Sequence, residues 1–402
     1  MNVKIKLLGC ISIFAIHNTS IANTGDFSAL TNCSGSQCFL RGENDFIINE
    51  TLSLEGDKIF FISPDKLEVT DGGLLQVTNG TTVFGETAQP HSQVHNFKYN
   101  IKNGGKVFLS GQPGGTAPYG FGIGSARGKF FSEVEFNISG NGSELVYNNP
   151  GYLFAAGGNQ SGVTVNINDG GKFNIESKSP FYLGLTESTL HPTIMNISGD
   201  SSELSSNGHI WVGTNSDAKL TVTNGGYLSA RNLYAGWRAS GSILISGHNT
   251  GIKVNNLILS SGDNGNDKGN GFFQIQNGAN LYAKTISLTP DASLGKALFI
   301  VGGEDAPTEA GNINADTLIF GSNNSSLILN HTTPEFKLSA NLKGNGNIYA
   351  LNGESWLMGN NHSFNGNIDV ESTAKLQVSS INASSVNNKG KLMIAGMSQV
   401  SS

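Results

Sequence analysis

The sequence is short of charge, of cysteine, of aromatic residues and of long apolar runs, and each shortage removes a class of protein. Charged residues make up 13% of the 402 positions and the balance is acidic, at net −6. A chain of that charge offers no general electrostatic attraction to nucleic acid or anionic lipid, and no run of Lys/Arg restores one. Beyond residue 22 no apolar stretch approaches the ~20 residues of a membrane-spanning helix. Aromatics are 8% of the chain, and Val, Ile and Leu are spread thinly among Ser, Asn and Thr. What is abundant is glycine, with 53 residues. That composition is too apolar for disorder and too rich in turn formers for helices, which leaves short strands.

The first residues read as an export signal. Lys4 and Lys6 precede an apolar stretch from Leu7 to Ile16, and Ser20-Ile21-Ala22 places small residues where a signal peptidase reads, so cleavage is expected after Ala22. Leu7-Leu8-Gly9-Cys10 offers a competing lipoprotein box, but the apolar segment mostly follows Cys10. Of the three cysteines, Cys33 and Cys38 remain after cleavage. In an oxidising compartment the expectation is one small disulfide between them, since a metal or redox pair would need tighter spacing or further ligands.

Self-similarity then organises the chain. Val69-Thr-Asp-Gly-Gly-Leu-Leu-Gln-Val77 returns as Ile101-Lys-Asn-Gly-Gly-Lys-Val-Phe-Leu109, as Ile167-Asn-Asp-Gly-Gly-Lys-Phe-Asn-Ile175 and as Val222-Thr-Asn-Gly-Gly-Tyr-Leu-Ser-Ala230. Ile275-Gln-Asn-Gly-Ala279 opens a weaker fifth copy. A second motif alternates with the first: Ile138-Ser-Gly-Asn-Gly-Ser-Glu-Leu145, Ile197-Ser-Gly-Asp-Ser-Ser-Glu-Leu204 and Ile245-Ser-Gly-His-Asn-Thr-Gly-Ile252. Asn or Asp before Gly tolerates positive φ and turns the chain tightly between short strands. A repeat of this length, with strands too short to make a sheet alone, predicts a right-handed parallel β-helix in which coils stack, inward residues form apolar ladders and turn asparagines hydrogen-bond from coil to coil. Phe181-Tyr-Leu-Gly184, Ile210-Trp-Val-Gly213 and Asn232-Leu-Tyr-Ala-Gly236 fit another strand and corner of each coil. Gly111 to Gly128 and Gly262 to Gly271 break the rhythm and read as projecting loops.

The alternation, clearest at Tyr234-Ala-Gly-Trp-Arg-Ala-Ser-Gly-Ser-Ile-Leu-Ile-Ser-Gly247, resembles the passenger regions of bacterial autotransporters, which belong to type V secretion. Leu342-Lys-Gly-Asn-Gly-Asn-Ile-Tyr-Ala350, continuing through Leu357-Met-Gly-Asn-Asn361 and Phe364-Asn-Gly366, is similar to the passenger-associated transport repeat. The resemblance implies a leader over residues 1–22, an N-terminal cap over 23–60, coils over 61–320 and a continuation over 321–402 that carries the transport repeat. It also implies display on the outer membrane, or release from it, by a translocator barrel. The expected role is adhesin or cell-aggregation factor, with a host-cell or bacterial surface receptor or polysaccharide as partner. Asn387 to Ile394 reads as the opening of another coil, so the expectation is a truncated passenger dependent on a separate translocator and periplasmic without one.

Enzymatic readings fare less well. Gly199-Asp200-Ser201 evokes a serine-protease nucleophile, yet Ile197 to Leu204 aligns without gaps with Ile138 to Leu145, where Asn141-Gly142 takes the place of Asp200-Ser201. Asp263 to Asp267 fails the EF-hand pattern. Gly120-Phe-Gly-Ile-Gly124 lacks the helix that a nucleotide loop needs, and the eight His residues show no ligand spacing. No catalytic residue, cofactor or metal ligand is expected. The alternative is a carbohydrate-active β-helix of pectate-lyase-like type, although acidic residues such as Asp71, Asp169 and Asp217 are scattered over turns. Trp211, Trp237 and Trp356 suit core rungs and exposed contacts equally.

Overall fold

The computed structural model describes residues 3–6, 31–34, 37–41, 46–55, 58–62, 66–85, 95–112, 119–124, 132–156, 162–185, 191–262, 269–289, 295–395 and 399–400. Its strands form a parallel β-helix. The chain divides into two compact units, Met1–Ile210 with Asn215–Asp217, and Trp211–Thr214 with Ala218–Ser402.

In the first unit each coil passes through three faces. Ser132–Ser139, Glu144–Asn148 and Tyr152–Ala156 make one coil, and Gly162–Asn168, Lys172–Ile175 and Phe181–Leu183 make the next. All three pairings are parallel, with Ile138 on Ile167, Leu145 on Phe173 and Leu153 on Phe181. Side chains alternate as a half-buried strand requires: Val134, Phe136 and Ile138 are buried while Glu135 and Asn137 face outward. Parallel pairing already runs from Phe46–Ile48 onto Lys66–Val69. Before it, Thr31–Ser34 pairs antiparallel with Gln37–Arg41, which itself lies parallel to Lys58–Ile62.

In the second unit the second and third strands of a coil merge. Tyr227–Ala235, Gly251–Leu259, Asn280–Leu288 and Asn312–Phe320 each run nine residues. Their ladder is interrupted at Arg231, Asn255, Lys284 and Asp316, which mark one corner in successive coils. Leu233, Leu257, Ile286 and Leu318 form one inward column with no exposed surface.

The two motifs occupy the same place in alternate coils. Ile101, Ile138, Ile167 and Ile197 stack in register in the first unit, and Val222, Ile245 and Ile275 do so in the second. Asn103 and Gly104 both take positive φ, 51° and 77°, and the Gly105 amide donates to the Lys102 carbonyl at 2.9 Å, which is a type I′ turn. Gly105 is itself required because a Cβ there would strike the Val69 carbonyl of the preceding coil. The alternation has a hydrogen-bonding basis. The Gly104 amide donates to Ser143 Oγ (3.1 Å), Gly170 to Ser202 Oγ (3.0 Å) and Gly225 to Thr250 Oγ1 (2.9 Å), so the hydroxyl of the second motif accepts the orphan turn donor of the first.

Two expectations need correction. Gly111 to Gly128 is not one projecting loop, because Tyr119–Gly124 within it is a strand with Phe121 and Ile123 buried. Gly122 lies there because a Cβ would meet the Phe154 ring, a packing demand rather than a turn. Among the described residues, the longest asparagine ladder lies not at the turns but mid-strand on the outward side. Asn137 donates to Asn100, Asn166 to Asn137 and Asn196 to Asn166, each at 2.9 Å. Turn asparagines contribute smaller links, such as Asn103 to Thr70 Oγ1 at 3.3 Å.

Candidate functional site

On strands this short, one residue in two faces outward, and in the second unit several outward positions are aromatic. Within Tyr227–Ala235, Leu233 and Ala235 turn inward, so Tyr234 between them turns out. Trp211 lies on it ring to ring, with centroids 3.8 Å apart and planes 4° from parallel. Trp237 approaches Trp211 at 5.3 Å and 45°, and the Arg238 guanidinium sits 4.8 Å over the Trp237 ring.

The backbone holds this group rigidly. After the strand, Gly236 takes φ 77° and turns the chain, and the Trp237 and Arg238 amides donate to the Gly213 and Thr214 carbonyls at 2.9 and 3.0 Å. Gly236 and Gly213 admit no Cβ, since each lies against backbone of the following coil at Asn270 and Ser240. Asn232 Nδ2 donates to the Tyr234 hydroxyl at 3.3 Å. The three rings are half-buried and Arg238 is exposed. The patch therefore presents apolar ring area edged by a guanidinium and an amide, a combination that anchors protein and glycan interfaces.

The third tryptophan stands in a separate outward group. Trp356 Nε1 donates to Glu354 Oε1 at 2.9 Å, and the Lys337 ammonium lies 4.7 Å over its ring. Lys375 also donates to Glu354, and that bond, followed by the one from Trp356, holds the carboxyl below the usual carboxylate range. All three tryptophans thus face outward, a choice the sequence left open.

Other carboxylates are held charged in the same way. Glu68 is 7% exposed at its side chain and lies between Lys66 (2.8 Å) and Lys102 (2.9 Å). Burial opposes its ionisation, but the hydrogen bonds and charges of the two lysines outweigh burial and lower its pKa. Glu135 follows the same pattern, with burial overcome by Asn137 and Lys98.

The remaining sequence candidates fall as follows. Cys33 stands across from Cys38 in the antiparallel pair, while their side chains, and with them the expected disulfide, lie outside the described residues. Ala22 and the candidate calcium segment Asp263 to Asp267 also lie outside them. Of the expected leader only Val3–Lys6 is described, as a strand beside Thr51–Glu55. Ser201 is a turn residue with φ 64°, and its neighbour Ser202 is buried, donating to the Ser198 carbonyl at 2.8 Å. Among the described residues no three His, Cys, Asp or Glu side chains are grouped to hold a metal ion. Sequence reasoning missed Tyr234 and Arg238 as members of the patch. The alternation of Leu233, Tyr234 and Ala235 carried the signal for the first, whereas Arg238 gained its role only by folding over Trp237.

No family model matches the chain, and no solved structure matches it. It is 28% identical over 319 residues to the uncharacterized protein YuaQ of Escherichia coli (strain K12), an alignment covering 75% of this chain and 22% of that protein. The chain thus spans about a fifth of the length of the relative it matches.

Proposed function

We propose that this chain is an exported, passenger-type binding protein of the adhesin or aggregation class, carried to the cell surface by a separate translocator barrel. It engages a surface receptor or polysaccharide through the Trp211–Tyr234–Trp237–Arg238 patch. The observation that carries the reading is that patch: Trp, Tyr and Arg are the residue types on which binding energy concentrates, and here they share one outward face. The transport-repeat resemblance of residues 342–366 supports export.

The test is adhesion of the purified chain to bacterial and epithelial cells, read by flow cytometry, with Trp237→Ala as the variant. Trp237→Ala is expected to weaken binding roughly tenfold, as loss of one hot-spot residue does, with an unchanged circular dichroism spectrum. Unaltered adhesion would remove the patch from the reading. Polysaccharide turnover abolished by one surface carboxylate substitution would replace it with an enzymatic one.

A further inference from the structure

On the outward faces of the described residues several lysines are paired from coil to coil, and one cluster of cations in the second unit is not. Among the paired ones, Lys98 meets Glu135 at 3.1 Å, Lys102 meets Glu68 at 2.9 Å, Lys172 meets Glu203 at 3.9 Å and Lys389 meets Glu371 at 2.8 Å, each in a neighbouring coil. In the second unit Lys253 is flanked in register by Ser229 in one neighbouring coil and Tyr282 in the other, with Asn314 one coil further on. No carboxylate occupies that column. At the adjoining corner, successive coils place Arg231, Asn255, Lys284 and Asp316. Arg231, Lys253 and Lys284 are exposed, and Tyr282, at 46%, is one of the most exposed large apolar side chains among the described residues.

We propose that Arg231, Lys253, Tyr282 and Lys284 form a binding surface for an anionic polysaccharide. The stack sets the three cations on successive coils at a rise of roughly 4.8 Å per coil. That rise is comparable to the length of one sugar residue in an extended chain, so a polymer lying along the stack meets a cation about once per residue. Tyr282 stands among them and supplies the ring on which a sugar face packs, its hydroxyl serving as the polar handle. Asp316 bounds the surface on one side. Nucleic acid fits less well, because a duplex carrying one charge per ~1.7 Å needs denser neutralisation than three spaced cations provide. A flat anionic membrane would meet the acidic balance of the whole chain, net −6. The inference rests on the exported binding reading only for access to surface glycans, and its residues are distinct from the Trp237 patch.

The full chain is titrated with dextran sulfate and polygalacturonate, with neutral dextran, duplex DNA and phosphatidylserine vesicles as comparators, at low and high salt. The expected result is binding to both polyanions but not to dextran, weakened by salt. The double variant Lys253→Gln/Lys284→Gln is expected to bind roughly tenfold more weakly, as loss of two exposed charge contacts allows. Lys219→Gln/Lys296→Gln, which removes the same charge from exposed positions elsewhere, should bind as the wild type does. Equal weakening by both double variants, equal or tighter binding to DNA or vesicles, or no polyanion binding at low salt would overturn the proposal. Trp237→Ala should leave polyanion binding intact, so the adhesion reading and this one fail separately.

Discussion

The two units build similar coils from different side chains. The fully buried large residues of the first include Phe84, Tyr99, Phe121, Phe136, Tyr147, Phe173 and Phe181, and those of the second are Phe273, Phe299, Phe320 and Phe364. In the first, Phe121 meets Phe84, Phe136, Tyr147 and Phe173 at centroid distances of 5.9 to 6.3 Å, a connected cluster of mostly edge-on rings. In the second, aliphatic columns fill the interior, and Trp211, Tyr234 and Trp237 lie outside. A parallel coil therefore accepts either filling, provided that register is kept. The difference lies in what remains for the surface: the first unit spends most of its rings on stability, and the second displays several.

Core truncation separates the units most strongly. Phe121→Ala should cost about 4 kcal/mol and Leu257→Ala about 3 kcal/mol in denaturant unfolding, since the first removes ring contacts as well as volume. A smaller loss at Phe121 would show that the aromatic cluster adds nothing beyond area. Next come the turns. Gly105→Ala should cost about 2–3 kcal/mol through its collision with the Val69 carbonyl, whereas Ala279→Gly at the equivalent turn of the second unit should cost under about 1 kcal/mol. Equal thermal midpoints for these two variants would sink the close-approach argument. The asparagine ladders give a smaller contrast. Asn137→Ala removes its bonds to Asn100 and Asn166 and should cost about 2 kcal/mol, against about 1 kcal/mol for Asn256→Ala, which loses its bond to Asn232. Hydrogen exchange of the flanking strands reads both.

Acid should distinguish the units most subtly. His331 in the second unit has no exposed surface and shares a 2.7 Å hydrogen bond between Nε2 and Ser355 Oγ. Burial pushes its pKa below the ordinary 6.5. Its unfolded form takes up a proton that the folded form resists, so the stability it contributes is present above pH 6.5 and falls as pH drops toward the folded value. Glu68 and Glu135 in the first unit have pKa values lowered from 4.5, so their contribution persists to lower pH and is lost only below that value. Unfolding followed between pH 7 and pH 5 should thus show the second unit weakening first, by about 1 kcal/mol or less. Replacement by His331→Gln should flatten that slope, and an unchanged slope would assign it elsewhere.

Much of the fold was legible in the residues. The Asn-Gly-Gly and Ile-Ser-Gly motifs located every turn they were assigned to, because each turn is a local object that needs positive φ at particular residues, Asn103 and Gly104 in the first motif and Gly140 and Gly142 in the second. Even the alternation had a local trace, in Ser143, Ser202 and Thr250. The loop expected across Gly111 to Gly128 misread Tyr119–Gly124 because glycine there answers to the Phe154 ring on the next coil, a contact invisible along the chain. The site was less legible still. Trp211 lies on a strand of four residues and Trp237 beyond the end of one, where alternation gives no dependable parity, so core and surface stood undecided there.

The amino-acid sequence by itself determined that the chain turns at fixed places and stacks coil upon coil, because turn chemistry and apolar alternation act between near neighbours. Only the tertiary structure decided which aromatics face outward and which charges gather. Arg231, Lys253 and Lys284 lie in three different coils, and stacking alone brings them to one surface. In an acidic chain with no basic run, that surface exists through register, since three successive coils each add one cation before Asp316 closes the corner.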